Sequence, residues 1–324
     1  MYIIQFIHPI DEAIRGRKLP KAIANYPYHC PWLQIIGDKC RHRRKFLLNA
    51  GNYLDQGSKV VHCNNLHLWC EAEWDTLDKP VTNAPAAGVS PQPKNEHNFH
   101  VTGAPASTPV RVTFANTDPY VFGPRFKYSN CRQFNHTLLR SLPAGSIILF
   151  GSHISDANGA WNFLLDTVFV IDDAREELPF SDDGKLTSLP QGLAGNPDIT
   201  AEFINRVLNR LFSSSCSGKQ VKPCGGKKTK TSCSGFTLYF GKLHQAGKGW
   251  SQPFSFVPIQ LGGKPFPRMV LNSLPLPNGK NCISPACRGV NYTKVSQAEL
   301  LYVWQRLAQA VQSSGYVPAW NFPE

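Results

Sequence analysis

Apolar residues occur along this chain in short continuous runs and in a few helical stripes. The runs at 2–7, 144–152 and 162–172 are rich in Ile, Leu, Val and Phe, which is typical of strands buried in a sheet. Further strands are predicted where residues alternate or are β-branched, at 67–75, 108–116, 236–244 and 254–261. Strands therefore form most of the predicted regular structure.

Four segments have the spacing and the end signals of helices. Asp38 and Thr200 are predicted N-caps, and Gly51 and Pro143 are predicted stops. The predicted helices are 37–55, 132–142, 198–214 and 296–315. Together the elements predict an α/β or α+β fold, with a mixed β-sheet core, three to four flanking helices and long loop insertions.

Two segments are too polar and too rich in turn residues to be core elements. Residues 78–109 are rich in Pro, Ala, Asn and Ser, and predict an exposed loop. Residues 213–235 are rich in Gly, Ser, Lys and Cys, and predict a flexible basic loop. We interpret residues 1–324 as a single domain that carries these segments as insertions.

The charge balance of the chain indicates the kind of binding partner rather than the fold. Lys and Arg number 34 against 22 Asp and Glu, which gives a formal net charge of +12 at pH 7. Such an excess favours a polyanion, because each neutralised phosphate releases counterions. We predict a nucleic acid partner, DNA before RNA, and a basic protein with no anionic partner stays the alternative. The sequence indicates no oligomeric state.

The N-terminal residues do not form a basic segment followed by a long apolar run, so no signal peptide is predicted. No stretch reaches the ~18 apolar residues of a membrane span. The chain has ten cysteines, which without a secretion signal are expected to be reduced thiols. We therefore predict a cytoplasmic protein without a membrane partner.

The cysteine spacing bears on metal binding. Cys216, Cys224 and Cys233 lie in the basic loop, and Cys282 and Cys287 lie further on, without any C-x-x-C pair. A structural zinc joining 213–235 to 281–289 is left open, and free thiols are the favoured state. No other cofactor is predicted.

The stretch 112–133 concentrates polar and aromatic side chains directly after a predicted strand. Ligand sites in α/β folds form where strands end, so a carboxylate there is a candidate for chemistry. Aromatic rings stack planar bases, and amides read base edges. The side chains in question are Asn116, Asp118, Tyr120, Phe126, Tyr128, Asn130 and Gln133. The alternative is that Asp-Pro-aromatic is ordinary turn chemistry.

The segment VTFANTDPY resembles the water-activating motif of uracil-DNA glycosylases, which is a strand followed by Gly-Gln-Asp-Pro-Tyr. The match covers Asp118, Pro119 and Tyr120, with Asn116-Thr117 in place of Gly-Gln. The resemblance implies that Asp118 activates or positions the water that attacks the sugar carbon after base flipping. The family's second motif, a His-Pro-Ser loop, has its loose counterpart in FGSHISDANG through His153.

Residues 142–174, LPAGSIILFGS followed by FLLDTVFVIDDA, resemble a strand pair of the nucleotide-modification-associated families and their PUA-like relatives. This resemblance implies a sheet domain that binds an unusual or modified base. It also implies a context of antiviral defence, against phages that hypermodify their DNA.

Charged residues outside that stretch suggest further roles. Arg43, Arg44 and Lys45 form a concentrated basic patch and are the predicted phosphate-binding residues, with a solvated basic face as the alternative. Asp166 lies inside an apolar strand, and a lone carboxylate there must be paired or functional. Glu71 and Glu73 share one face of a predicted strand. The alternative is that this is an ordinary strand face exposed to solvent.

We therefore predict a DNA glycosylase, a hydrolase that cleaves the N-glycosidic bond of a flipped-out modified base. Asp118 orients the water, and Asn116 shares it. Base binding is assigned to Tyr120, Phe126, Tyr128, Asn130, Gln133 and His153. The alternatives are a non-catalytic reader of modified bases in DNA or RNA, an RNA-modifying or RNA-binding protein, and a Mg²⁺-dependent nuclease that uses Glu71, Glu73 and Asp166.

Overall fold

The computed structural model describes the strands of three sheets and one long helix. It describes residues 1–7, 44–55, 59–71, 100–101, 112–114, 119–129, 133, 136–155, 159–178, 193–208, 236–262, 266–287 and 289–323. The strands are β1 Tyr2–Ile7, β2 Arg44–Leu54, β3 Val61–Glu71, β4 His100–Val101, β5 Val112–Phe114, β6 Lys127–Tyr128, β7 Ile147–Ser155, β8 Trp161–Leu178, β9 Phe236–Gly241, β10 Val257–Ile259, β11 Met269–Val270, β12 Val290–Lys294 and β13 Val317–Trp320. Helix α1 is Gln297–Ser313.

The larger sheet has seven strands in the order β12-β1-β7-β8-β9-β6, and β11 pairs with β8 beside this path. Strands β1 and β7 are parallel, and the other pairs are antiparallel. The central strands are continuous apolar runs because both of their faces are covered, and Ile147–Phe150 are all buried. The predicted strands at 2–7, 144–152 and 162–172 are thus confirmed.

The smaller sheet has the order β10-β13-β2-β3, and β4 and β5 pair separately. The two larger sheets are joined where Phe256 and Val168 exchange two backbone hydrogen bonds of 2.9 Å. Their buried side chains belong to one core cluster. This junction brings β8 of the large sheet against the segment that leads into β10.

Helix α1 forms where the sequence predicts it. Ser296 accepts a hydrogen bond from the Glu299 N–H, and the Glu299 carboxylate accepts one from the Ser296 N–H, which completes a capping box. Its buried residues recur at helical spacing: Leu300, Val303, Trp304, Leu307, Ala308 and Val311. None of the helices in the described part of the chain is long and apolar enough to cross a bilayer.

The described residues form the predicted mixed, sheet-rich core, but they do not support the prediction of three to four flanking helices. Among the described residues, α1 alone exceeds eight residues, and the predicted helix at 198–214 is seen as a short turn at Ala201–Phe203 that continues to Leu208. Thr200 does accept the Phe203 N–H, as expected of its cap. The predicted helix at 132–142 contains only a 3₁₀ turn, Thr137–Arg140.

The largest correction concerns the predicted helix at 37–55, because its described part is strand β2. Residues Arg44–Leu54 pair with Val61–Glu71 over eleven positions, so a long-range ladder overrides the local helical pattern. Gly51 is a packing position rather than a helix stop. A Cβ at Gly51 would lie 2.8 Å from the Phe322 ring.

Strand β8 carries one extra residue opposite β7, and Gly151 makes this bulge sterically feasible. Phe150 pairs with Thr167 and Gly151 pairs with Leu165, so Asp166 is the inserted residue. A Cβ at Gly151 would lie 2.1 Å from the Leu164 carbonyl oxygen. The backbone of β8 therefore tolerates no side chain at this position without a shift.

We expect Gly151→Ala to lower the free energy of unfolding by about 1–3 kcal/mol, because a backbone oxygen must move. Urea unfolding followed by circular dichroism measures this. Gly159→Ala is the comparison, since its added methyl meets nothing within 4 Å and only its φ of 80° opposes it. Equal losses in the two variants would contradict the steric argument.

Candidate functional site

The predicted site falls on a tight hairpin, Pro119–Ser129. Tyr120 and Lys127 pair across it, with N–H···O distances of 2.8 Å in both directions. At the turn, Gly123 adopts a φ of 82°, which favours glycine, and its N–H donates to the Phe322 carbonyl at 2.8 Å. The hairpin is therefore held to the C-terminal residues as well as to itself.

Lys127 is the most unusual residue of this hairpin, because its side chain is fully buried. Its Nζ donates to the Arg125 carbonyl at 3.1 Å and to the Phe122 carbonyl at 3.5 Å. The same atom lies 5.3 Å from the centroid of the Tyr120 ring and 5.0 Å from that of Phe203. Carbonyl oxygens and ring faces both favour a cation, so this cage suits a charged ammonium.

Arg125 ties the hairpin to two other parts of the chain. Its guanidinium forms ion pairs with Asp172 of β8 and with Asp198, the latter at 3.2 Å. Its Nε donates to the Gly241 carbonyl at 3.2 Å, and the group lies 5.3 Å from the Phe240 ring centroid. The planar fork of arginine suits this simultaneous use of several acceptors.

The aromatic side chains predicted to stack a base lie in the interior. Tyr128 is 1% exposed and its ring contacts protein rings on several sides. Those rings are Phe6, Phe150, Phe169 and Tyr239. Tyr120 packs against Phe122 and Phe203, and Phe126 stacks with Phe322. In this arrangement a base reaches these rings only if the hairpin moves away from the sheet.

Gln133 is likewise part of the interior. Its side-chain amide accepts the Thr237 N–H at 2.9 Å and donates to the Thr237 carbonyl at 3.0 Å. The Gln133 side chain thus pairs with β9 as a strand residue would, and both of its amide groups are hydrogen-bonded to the backbone of Thr237. Base contact by Tyr120, Phe126, Tyr128 and Gln133 stays a prediction.

The remaining predicted site residues are outside the described part of the chain or lack described side chains. Asn116, Asp118, Asn130 and Arg43 lie outside the described residues. Arg44 and Lys45 begin β2, where Arg44 pairs with Glu71 and Lys45 with Cys70 along the backbone. A common site for the phosphate-binding residues and Asp118 stays a prediction, because Asp118 and Arg43 lie outside the described residues.

The bulge at Asp166 creates a second polar site, inside the large sheet. Arg268 donates to the Asp166 carboxylate at 3.0 Å and to the Ser152 hydroxyl at 2.8 Å. Both charged side chains are at most 2% exposed. The expectation that Asp166 is paired or functional is met by this ion pair.

The arginine is held in place by the segment it belongs to. Trp69 donates its indole N–H to the Phe266 carbonyl at 2.9 Å, and the Tyr316 hydroxyl donates to the Pro267 carbonyl at 2.8 Å. The sequence did not identify Arg268 as the partner. The only indication in the sequence was the Asp166 carboxylate, because a buried carboxylate requires a cation from elsewhere in the chain.

The ion pair also bears on the nuclease alternative. A metal shared by Glu71, Glu73 and Asp166 needs the Asp166 carboxylate, which binds Arg268 instead. Within the described ranges, no three His, Cys, Asp or Glu side chains are grouped so that they hold a metal ion. Cys282 is buried and burial raises the pKa of its thiol, whereas Cys216, Cys224 and Cys233 lie outside the described residues.

His153 is buried beside this site, with 2% of its surface exposed. Its ring packs at 5.8 Å from Trp161 and 6.1 Å from Phe163, and its Nε2 has no hydrogen-bond partner among the described residues. Burial lowers the pKa of His153 to about 4. The imidazole is therefore neutral at pH 7.

We expect His153 to make the fold less stable at acidic pH. The unfolded chain protonates this histidine near its ordinary pKa of 6.5, whereas the folded chain resists until about pH 4. Stability is therefore lost as the pH falls from 6.5 towards 4, by about 2 kcal/mol between pH 7 and pH 5. Urea midpoints at these two pH values measure the loss. His153→Leu should remove this part of the pH dependence. If the pH dependence of stability is unchanged in His153→Leu, the histidine is not its cause.

Comparison with known proteins yields no relative. No protein family, no curated protein and no solved structure matches this chain.

Proposed function

We propose that the protein binds DNA and hydrolyses the N-glycosidic bond of a modified base, with Asp118 orienting the attacking water. The observation that carries this proposal is the buried ammonium of Lys127, on a hairpin whose first residue directly follows Asp118 in sequence. In this proposal Lys127 lies near enough to Asp118 to favour the ionised form of its carboxylate. An ionised carboxylate suits both water activation and the stabilisation of a cationic sugar.

In the proposed reaction, the bond between C1′ of the deoxyribose and the base nitrogen breaks. The bonding electron pair leaves with the base, which then takes up a proton. The water oxygen bonds to C1′ while Asp118 accepts a proton from it, and Asn116 holds the same water. The products are the free base and an abasic site in an intact strand.

Positive charge supports DNA as the substrate. The chain has a formal charge of +12, and residues 213–235 contain five lysines and no acidic residue. In this proposal Arg43, Arg44 and Lys45 bind phosphates, and Asn130 reads a polar edge of the base. The role in defence against phages with hypermodified DNA belongs to the same proposal.

In this proposal the buried rings position the hairpin, instead of stacking a base as the sequence predicted. The rings of Tyr120 and Phe203 lie beside the Lys127 ammonium, and Phe126 and Tyr128 anchor the hairpin to the core. These side chains therefore position the end of the hairpin that follows Asp118. Movement of the hairpin would be required before they contact a base directly.

The test incubates the purified protein with genomic DNA from phages that carry ordinary or hypermodified bases, in EDTA, and then adds alkali. Alkali converts abasic sites to strand breaks, so breaks confined to the modified DNA are the expected result. EDTA removes Mg²⁺ and thereby suppresses a nuclease. Breaks that appear without alkali would contradict a simple hydrolysis.

The same experiment separates the other candidate functions. Modified DNA that shifts on a gel but stays intact after alkali would identify a reader and overturn the glycosylase. Competition between DNA and RNA of equal length distinguishes an RNA-directed protein, for which RNA would compete better. If the DNA shows no breaks and no gel shift, the proposal as a whole is overturned.

A further inference from the structure

Strand β3 is the last strand of the smaller sheet, which has the order β10-β13-β2-β3. It pairs with β2 along its whole length, without a shift of register. Its second half is packed, because Leu66, Leu68 and Trp69 are buried. Residues 61–65, the free edge of β3, are exposed at every position. The free edge therefore has β2 on one side and none of the described strands on the other.

The hydrogen bonds of the backbone show which groups face outwards. Along an antiparallel strand, successive residues direct their N–H and C=O groups alternately towards a neighbouring strand and away from it. The Asn65 N–H donates to the side-chain oxygen of Asn64 at 2.8 Å, so it points away from β2. Cys63 and Val61 precede Asn65 at every second position, so their N–H and C=O groups face the same way. Such a row of outward groups is a template for another strand.

The other strands at the ends of the two larger sheets are protected against edge pairing. Short length, proline and charged residues all hinder it. Strand β10 has three residues and contains Pro258, β6 has two residues, and β12 has five and ends in Lys294. From Val61 to Cys70, by contrast, β3 contains no Asp, Glu, Lys, Arg or Pro. Among the described strands that end these sheets, β3 alone is both long and unprotected.

Charge and symmetry favour a second copy of this chain as the strand that pairs here. Two copies repel one another over most of their surfaces, because each has a formal charge of +12. A two-fold interface brings the same surface of both copies together, so it requires a surface that does not repel itself. The free edge meets this requirement, since residues 61–65 carry no formal charge. It is also centred on a single residue, Cys63.

We propose that the protein forms a two-fold dimer in which the free edges of two copies pair in antiparallel orientation about Cys63. Val61 then lies opposite Asn65 of the second copy, and Cys63 lies opposite its own equivalent. The smaller sheets of the two copies become one continuous sheet. The proposed glycosylase reaction does not use this surface, so the dimer goes beyond the proposed function.

The test is sedimentation velocity of the whole chain in reducing buffer, over a wide range of protein concentrations. The wild type should form dimers as the concentration rises. Cys63→Lys and Cys63→Glu, each measured alone, should raise the Kd of the dimer by about fivefold, because like charges then lie directly opposite each other. An equimolar mixture of the two variants should dimerise more tightly than either variant alone, because opposite charges then meet.

Val270→Lys is the matched control for the charged variants. It adds the same positive charge at another exposed strand position, on β11, where the valine is 48% exposed. The Kd of the dimer should be unchanged in this variant. Urea midpoints establish that each variant is folded.

A short bismaleimide, which joins two thiols, tests the register of the pairing. The thiol of Cys63 is exposed and should lie close to that of the second copy. The wild type should give a covalent dimer, and Cys63→Ser should not, although Cys63→Ser should still sediment as a dimer. An equal yield of covalent dimer in Cys63→Ser would assign the contact to other cysteines and contradict the proposed register.

Salt distinguishes this dimer from two copies that are joined by a bound polyanion. Salt screens the repulsion between positive copies, so the dimer should become tighter as the salt concentration rises. Association through a nucleic acid should weaken instead. A wild type that is monomeric at every concentration would overturn the proposal. So would a dimer that weakens with salt, or a mixture of Cys63→Lys and Cys63→Glu that dimerises no better than either alone.

Discussion

Asp118→Asn is expected to slow base release by about 10²–10⁴-fold and to leave binding of modified DNA nearly unchanged. The amide keeps the size of the carboxylate but neither accepts the proton from water nor opposes the positive charge that develops on the sugar. Such a group acts mainly on the transition state, so turnover falls while affinity is retained. Single-turnover kinetics of alkali-sensitive sites and gel shifts measure the two quantities.

Asp173→Asn is the control for this substitution. Asp173 is an exposed carboxylate on β8, one residue beyond Asp172, and removing its charge should alter turnover little. A reader without catalysis has no turnover to lose, so Asp118→Asn would change nothing except at most its affinity. Wild-type turnover in Asp118→Asn would remove Asp118 from the reaction.

Breaking the Asp166–Arg268 ion pair is expected to have the largest effect on stability. Both side chains are at most 2% exposed, so removing one leaves the other charge buried without its main partner. Asp166→Leu and Arg268→Leu should each lower the free energy of unfolding by about 3–5 kcal/mol. Urea unfolding of both variants gives these values.

The double variant tests whether the pair itself is responsible. Asp166→Leu combined with Arg268→Leu leaves no unpaired charge, and it should recover much of the stability that each single substitution removes. Additive losses in the double variant would show that the residues act separately. They would then support a structural role for each that does not depend on their contact.

The strands of the large sheet illustrate what pattern alone predicts. Residues 3–7 of β1, 147–153 of β7 and 163–171 of β8 are largely apolar and buried throughout, so their composition directly indicates their burial. Helix α1 was equally predictable, because its capping box and its apolar stripe lie within one continuous segment. In both cases the decisive information is local.

Strand β2 illustrates the opposite situation. Its residues include a compact apolar group and a glycine, which fit a helix and its end as well as a strand. Pairing with β3 decided between them, because eleven backbone pairs outweigh a weak local preference. The burial of the predicted site's rings could not be predicted for a similar reason: a tyrosine that stacks a base and one that packs in a core look alike in sequence.

The sequence by itself determined the central strands, the capped helix α1, the positive charge and the need of Asp166 for a partner. The tertiary structure alone decided that Arg268 is this partner, and that the Lys127 ammonium lies beside the rings of Tyr120 and Phe203. The physical reason is distance along the chain. Asp166 and Arg268 are separated by 102 positions, and only packing of the whole chain selects which side chains meet across such an interval.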